Sequence, residues 1–259
     1  VLIKELQSYK KQYAVPRKTL IDNLEEAVVE EKKIEEMDVV FLMDRFGYAK
    51  TIDVAAYERN REAADAENRY ILTCKNTDKI CIFTNKGQMH LLKVLDLPYG
   101  KFRDKGIPID NLSNYNSSEE NFIYIINLGA IIHSRLLFGT KTAMLKMVDG
   151  SEFDVAKRTT ASTKLNEDDE LLIVHAMTGE ETVVMQSEKE MFLRIEASTI
   201  PEKKKGAVGV RGMKLNAGDA LSNIYVLDGE SEQTVEVKGK EVVLNRLRVG
   251  NRDTKGTKR

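Results

Sequence analysis

Lys203, Lys204, Lys205, Arg211 and Lys214 fall in one short stretch and alternate with Gly206, Gly209 and Gly212. Lysine and arginine neutralise phosphate oxygens, and glycines let a backbone approach them closely, so this composition suits contact with a phosphate backbone. Arg246, Arg248, Arg252, Lys255, Lys258 and Arg259 form a second basic group, and Lys101, Arg103, Lys105 and Lys157, Arg158 form two shorter ones. A solvated charged face has the same composition, so residue types alone leave both readings open.

Other chemistry is poorly supported. Cys74 and Cys81 have no histidine at ligand spacing, which argues against zinc. Two cysteines also give no disulfide framework. Asn166-Glu167-Asp168-Asp169-Glu170 lacks the alternating ligands and central glycine of a calcium loop and reads as a charged turn between units. No glycine-rich loop follows a strand into a helix, so ATP is not expected to bind here. The nine tyrosines sit mostly in strand-like runs or near the N-terminus, as packing residues. No catalytic residue and no metal site is assigned.

The elements that must position the basic groups are mostly strands. Leu2, Leu6, Tyr9 and Tyr13 follow helical spacing, and Pro16 should end that helix. The stretch from Leu20 through Asp38 carries eight acidic residues against Lys32 and Lys33, and reads as a connector or a short solvated helix. A boundary near Met37 divides the chain into residues 1–36 and 37–259. Beyond it, short β-forming runs alternate with turn residues: Val39–Leu42, Tyr70–Cys74, Ile80–Phe83, Phe122–Ile126, Leu171–Val174, Thr182–Met185 and Val242–Leu247. Asn85-Lys86-Gly87, Thr178-Gly179 and Asp228-Gly229 read as hairpin turns between them. Long helical periods are absent from this region, which reads as all-β.

Three markers repeat along it. Turn lysines recur at Lys86, Lys141, Lys189 and Lys238, at intervals of 55, 48 and 49 residues. Acidic residues opening the next unit recur at Glu120, Asp169 and Asp219. Basic exits recur at Lys105-Gly106, Lys157-Arg158-Thr159, Lys205-Gly206 and Lys255-Gly256. A unit of about 50 residues suits four short strands, one propeller-like blade. Phe46-Gly47-Tyr48-Ala49-Lys50 matches the Lys86 turn at the shorter interval of 40, which makes five units. The basic exits occupy equivalent repeat positions and should project on one rim.

Bulk charge hides this distribution. Forty Lys and Arg oppose 41 Asp and Glu, for a net charge of −1. From Met191 to Arg259 there are 14 basic and 9 acidic residues, whereas Asn166 to Glu190 holds one basic and eight acidic. A basic arc and an acidic arc follow. No apolar run approaches the roughly 18 residues of a membrane span, and no charged-then-apolar leader opens the sequence, so a soluble cytoplasmic setting is expected.

Glu5-Leu6, Tyr9-Lys10-Lys11-Gln12-Tyr13 and Pro16-Arg17-Lys18-Thr19-Leu20-Ile21 resemble the end of the coiled-coil arm in the A subunit of bacterial type IIA topoisomerases. Asp44-Arg45-Phe46-Gly47-Tyr48-Ala49-Lys50-Thr51 and Phe83-Thr84-Asn85-Lys86-Gly87 resemble turns of the C-terminal pinwheel that follows this arm in DNA gyrase and topoisomerase IV. The resemblance covers essentially the whole chain. It implies a β-pinwheel of about five four-stranded blades after a short N-terminal helical segment. It also implies double-stranded DNA as partner, bound and bent on a basic rim, within an ATP-dependent enzyme. The B subunit of the topoisomerase and a second A subunit would be its other partners, and the setting would be a bacterial cytoplasm, at the nucleoid. The cleavage tyrosine, ATP and magnesium would all lie on other parts of that enzyme.

Gyrase carries a basic box of the form Q-R-R-G-G-K-G in its first blade. Here that place reads Glu58-Arg59-Asn60-Arg61-Glu62-Ala63-Ala64-Asp65-Ala66-Glu67-Asn68-Arg69, with no glycine and three arginines against four acidic residues. The departure favours a topoisomerase IV-like subunit over a supercoiling gyrase. Lys203 to Gly212 resembles a box remnant in the fourth blade, without implying wrapping. Two alternatives stay open: a gyrase domain with a degenerate box, and a propeller scaffold holding protein partners through its acidic arc.

Overall fold

The computed structural model describes residues 2–16, 18–19 and 34–259, in two compact units, Val1–Glu35 and Glu36–Arg259. Most of the acidic connector expected from Leu20 onward, and Arg17, lie outside the described residues. The first unit holds the helix Leu2–Tyr13, which ends three residues before Pro16 and buries none of its side chains. Tyr9 and Tyr13, one turn apart, stack with ring centroids 6.2 Å apart.

In the second unit five antiparallel hairpins define five blades. They are Asp38–Asp44 with Tyr48–Asp53, Lys79–Thr84 with Gln88–Lys93, Arg135–Thr140 with Met144–Asp149, Thr182–Ser187 with Met191–Glu196, and Thr234–Val237 with Lys240–Val243. Blades 1 to 4 each gain a long strand on the first hairpin strand: Asn68–Lys75, Phe122–Asn127, Leu171–Met177 and Leu221–Leu227. A short strand then covers the other edge. Ile107–Pro108 does so in blade 1, Thr159–Ala161 in blade 2, Val210–Arg211 in blade 3 and Thr257–Lys258 in blade 4. Each short strand comes from chain that has already formed the next hairpin, so consecutive blades are tied by exchanged strands. The result is a β-pinwheel whose four full sheets protect their edges; blade 5 is a two-stranded hairpin among the described residues.

Exchange corrects one sequence expectation. Lys203 to Gly212 follows the fourth hairpin in sequence, yet its strand Val210–Arg211 pairs with Met144 and Leu145 in blade 3. The segment therefore belongs to the third blade.

The core lies between blades. Val39, Phe41 and Met43 of blade 1 pack with Ile80, Ile82 and Leu92 of blade 2. Phe83 and Met89 pack on Phe138 and Val148 of blade 3, and Leu137 and Leu145 pack on Val183 and Met185 of blade 4. Central strands are thus buried on both faces; Val39 to Met43 are five buried residues in a row. This doubled burial hides the period of two that an exposed sheet would display.

Four features escape the sequence patterns. First, helices Val54–Arg59 and Arg61–Glu67 interrupt the strands of blade 1, within the segment resembling the box position. Asp53 caps the first by accepting from the Ala56 amide at 3.1 Å, and Val54, Ala56 and Tyr57 pack on Val40, Leu42 and Ile52. They cover the face of blade 1 that blade 2 does not. Second, Val242–Leu247 is not one strand: it stops at Val243 and a 3-10 turn, Leu244–Arg246, follows. Third, Thr178-Gly179 and Asp228-Gly229 connect one blade to the next rather than closing hairpins. Fourth, four hairpins close with the same amide-to-carbonyl bond, at Asp44–Gly47, Thr84–Gly87, Thr140–Ala143 and Ser187–Glu190. The closing residue has positive φ each time, but only Gly47 and Gly87 are glycines; Ala143 (φ 61°) and Glu190 (φ 63°) are not, so the turn is invisible as a glycine repeat.

Candidate functional site

The basic groups singled out from sequence lie on the short strands or on the segments that flank them. Lys101, Arg103 and Lys105 precede Ile107–Pro108, Lys157 and Arg158 precede Thr159–Ala161, Lys203 to Lys205 precede Val210–Arg211, and Arg248 to Lys255 precede Thr257–Lys258. Blades 1, 3 and 4 build this segment the same way. It enters parallel to the second hairpin strand (Thr51 beside Tyr99, Met147 beside Glu202, Arg194 beside Val249), loops outward, and returns antiparallel. On the return, Gly106, Gly209 and Gly256 press on the backbone of Ala49, Leu145 and Phe192, where a Cβ would come within 3.0 Å. The repeating glycine of blade 3 is thus Gly209; Gly206, which sequence spacing selected, has open space around it.

The side chains differ in what they can offer. Lys101, Arg103, Lys105, Lys157, Arg158, Lys203, Lys204, Lys214, Arg248 and Lys255 are exposed. Lys204 approaches Glu152 to 3.6 Å with its side chain 88% exposed. Lys205 is folded back: its amide donates to Glu152 Oε2 at 3.0 Å and its Nζ to the Glu152 carbonyl at 2.8 Å. Arg246 donates to Glu232 at 3.3 Å. Arg211 pairs with Asp253, and Arg252 donates to the Arg211 carbonyl at 2.9 Å. The Lys214 amide donates to the Thr254 carbonyl at 2.9 Å, so Arg211 and Lys214 of blade 3 join Arg252 and Lys255 of blade 4 in one cluster around Asp253. Arg211 holds the Asp253 carboxyl below the usual range, with Lys214 and Arg252 adding to the effect.

Beneath two of the loops sit lysines that sequence reasoning did not select. Lys146, 1% exposed, donates to the carbonyls of Lys205 and Ala207 at 2.7 Å each and of Lys204 at 3.4 Å. Lys50 donates to the carbonyls of Phe102 at 2.5 Å and Asp104 at 2.8 Å. Both stand three residues after the positive-φ turn residue, Ala143 and Gly47. The offset is counted from a backbone conformation, with glycine at one turn and alanine at the other, so residue types alone do not mark it. His90 holds the place in blade 2, buried between Glu120 (2.7 Å) and Thr159 (3.0 Å), and Leu193 holds it in blade 4. Burial pulls the Lys146 ammonium down to about 8, against the opposing influence of Glu152.

The other two repeat markers turn out to be structural. Asp169 accepts from the Thr142 amide and hydroxyl, and Asp219 from the Ser187 hydroxyl and the Lys189 amide, each fixing a hairpin tip. The turn lysines are engaged as well: Lys86 and Lys141 with Glu170, Lys189 with the Ala217 carbonyl and Lys238 with Glu190. Cys74 and Cys81 are free and buried in different blades; burial pushes their thiols to about 11 and about 12. Among the described residues no group of three or more metal-ligating side chains assembles, and no helix is long and apolar enough to cross a membrane.

Residues 134–176 and 181–228, the core of blades 3 and 4, match the family of the DNA gyrase C-terminal domain, a beta-propeller. The DNA gyrase A subunit of Lawsonia intracellularis is 28% identical over 277 residues, covering 99% of this chain and 33% of that protein. Its Staphylococcus epidermidis counterpart is 29% identical over 274 residues, covering 98% and 30%. The chain thus spans about a third of the length of these relatives. A solved C-terminal domain of DNA topoisomerase IV superposes with a TM-score of 0.77 at 22% identity, covering 86% of this chain and 73% of that one. The E. coli ParC C-terminal domain gives 0.69 at 15%, covering 86% and 94%. Its matched repeats, the alignments over nearly all of this chain and its exchanged-strand blades make the chain similar to the C-terminal β-propeller domains of topoisomerase IV and the DNA gyrase A subunit, whose fold it shares.

Proposed function

We propose that the second unit binds and bends duplex DNA for an ATP-dependent type IIA topoisomerase, presenting the transported segment to a gate built elsewhere in the enzyme. The observation that carries this reading is the recurrence of an exposed basic loop before the short strand in blades 1 to 4. Equivalent positions in consecutive blades form a curved row of positive charge, which suits a phosphate backbone and carries affinity without sequence preference. Residues 1–36 then serve as the end of the arm and its connector. A second A subunit, the B subunit of the topoisomerase and a bacterial cytoplasmic setting complete the assignment.

The topoisomerase IV-like form is favoured over a gyrase that wraps DNA. The segment in the box position is two short helices, the first capped by Asp53, in which Glu58 pairs with Arg61 at 2.9 Å and Asp65 accepts from Tyr57. An ordered helix pair of balanced charge offers a duplex far less than a flexible glycine-rich basic loop. A scaffold working through the acidic arc is disfavoured, because Asp169, Glu170, Glu181 and Glu190 are engaged in internal contacts.

Fluorescence anisotropy with a duplex of about 40 base pairs, across a salt series, tests the reading. The logarithm of affinity should fall linearly with the logarithm of salt, and Lys203→Ala with Lys204→Ala should reduce the slope by roughly 2. A salt-independent or absent interaction would sink it. Nicking and religation of bound circles separates the two family readings: simple bending leaves little topological change, wrapping leaves positive supercoils.

A further inference from the structure

Lys146 is a nearly fully buried cation that pairs with no carboxylate among the described residues, and it is saturated instead by main-chain oxygens. A buried ammonium is costly unless its donors are all used. Here the three N–H bonds meet three carbonyls, of Lys204, Lys205 and Ala207, and the ammonium lies 5.4 Å from the Phe138 ring centre. All three oxygens belong to the outward loop between Lys203, whose amide donates to the Met147 carbonyl at 2.8 Å, and Gly209, which presses on Leu145. The loop is pinned at both ends by backbone pairing and in the middle by one side chain. Blade 1 repeats the device independently: Lys50 sits 5.2 Å from the Phe102 ring centre and takes the carbonyls of Phe102 and Asp104, inside the loop carrying Lys101, Arg103 and Lys105.

We propose that Lys146 and Lys50 are positioning residues for duplex recognition: each gathers the carbonyls of an outward loop around its ammonium and so holds the exposed lysines and arginines of that loop in a phosphate-ready arrangement. This rests on the duplex-binding reading above. Neither ammonium needs to touch DNA. Turning carbonyls inward also removes their partial negative charge from the surface a phosphate would approach. Ordering the loop before binding lowers the entropy lost when phosphate contacts form. Blades 2 and 4 place His90 and Leu193 at the same position, so their loops lack this ammonium and depend on other contacts, such as Arg252 with the Arg211 carbonyl.

The test uses the 259-residue chain, a 40-base-pair duplex and two readouts. Lys146→Met keeps the length and apolar stem but removes the donors. Amide hydrogen exchange at residues 203–212 should accelerate at least tenfold while blade 1 is unchanged, and duplex affinity should fall about five- to tenfold. In a Lys203→Ala/Lys204→Ala background, the same substitution should cost less than twofold, because the side chains it positions are gone. Unchanged exchange at 203–212 refutes the role of Lys146. Faster exchange with full duplex affinity refutes the link to recognition, and so does a full additive loss in the double-alanine background. If the double-alanine chain itself binds as the wild type does, the interface reading fails, and the exchange readout still decides whether Lys146 orders the loop. Should Lys146→Met not fold, Lys50→Met carries the same measurements at residues 101–106, with Lys101→Ala/Arg103→Ala as background, and the same outcomes decide.

Discussion

Lys86 Nζ lies 2.9 Å from Glu170 Oε1, while the second oxygen of that carboxylate takes Lys141 Nζ at 2.5 Å. Lys86 stands at the hairpin tip of blade 2 and Lys141 at that of blade 3, so one glutamate clamps two neighbouring blades. Hydrogen bonds from Lys141 and then Lys86 hold its carboxyl at about 2, against burial, which pulls the other way. Because the folded-state value is depressed, its stabilisation is complete above the ordinary glutamate value of 4.5 and is lost as pH falls toward 2. Glu170→Gln should cost about 1 kcal/mol at pH 7, a figure reduced for the half-exposed lysines. It should also flatten the decline of urea stability between pH 4.5 and 2. A variant as acid-sensitive as the wild type would show that the clamp does not govern that limb.

A second acid-sensitive carboxylate serves as the control. Burial raises the Glu181 carboxyl, but it accepts from the Thr178 amide at 2.6 Å, the Thr178 hydroxyl at 2.7 Å and the Gly179 amide at 2.7 Å, and these bring it down to about 2. It holds the turn between blades 3 and 4. Glu181→Gln retains part of this geometry; it should be less stable than wild type above pH 4.5, the difference closing as pH falls toward 2, and its loss should add to that of Glu170→Gln, since the two share no partner. Non-additive losses above about 0.5 kcal/mol in urea unfolding would show that the two turns melt as one.

How much of this was legible in sequence depends on what each marker reports. The turn lysines, opening acids and basic exits recur because every blade must pin its tips and return a short strand, so the repeat and the all-β reading followed from them. Their roles did not. Asp169 and Glu170 look like an acidic surface until the partners Thr142, Lys86 and Lys141 are brought together from 27 to 84 residues away. Strand exchange is equally hidden: nothing local to Val210-Arg211 says that it pairs with blade 3. Lys50 and Lys146 sit in strands and differ from surface lysines only by what folds over them.

Asp168 occupies the turn position that Gly218 occupies in the next unit, and both have positive φ, 58° and 65°. Glycine takes this conformation with little steric cost, and aspartate tolerates it less well. Asp168→Gly also removes one negative charge from a run of four acidic residues. A gain of roughly 0.5 kcal/mol is expected after the entropy of the unfolded glycine is counted. Thermal unfolding checks it: a lower Tm would mean that Asp168 contributes a contact beyond the turn.

The buried Lys146 predicts an alkaline effect of definite sign. Its folded-state value of about 8 lies below the ordinary 10.5, so charge on it opposes folding below 8, and that opposition fades as pH rises toward 10.5. The relative gain is at most about 1.4 kcal/mol per pH unit in that window. Cys74 and Cys81, raised by burial, act in the opposite direction above pH 9. The difference between wild type and Lys146→Met isolates the lysine, because both chains keep the cysteines. Urea midpoints from pH 7.5 to 9.5 should show wild type gaining on the variant; parallel curves would mean that the ammonium stays protonated in its carbonyl cage throughout.

Asp253 is the negative charge at the centre of the basic cluster of blades 3 and 4, paired with Arg211 and close enough to Lys214 and Arg252 to feel both. Its φ of 62° is a conformation that asparagine accepts as readily as aspartate, so Asp253→Asn changes charge while keeping the backbone. The Arg211 amide-side contacts of the loop persist, since Arg252 still reaches the Arg211 carbonyl and the Asp253 amide still donates to Gly212. What changes is the guanidinium, which is released from its carboxylate to face a phosphate. Duplex affinity at low salt should rise about two- to fivefold, and the salt slope should steepen by less than 1, as expected for one more cation made available. Lys157→Ala in blade 2, outside this cluster, should weaken binding equally in both backgrounds. An Asp253→Asn chain that binds no better than wild type would place the DNA path away from the junction of blades 3 and 4, along the loops of blades 1 and 2.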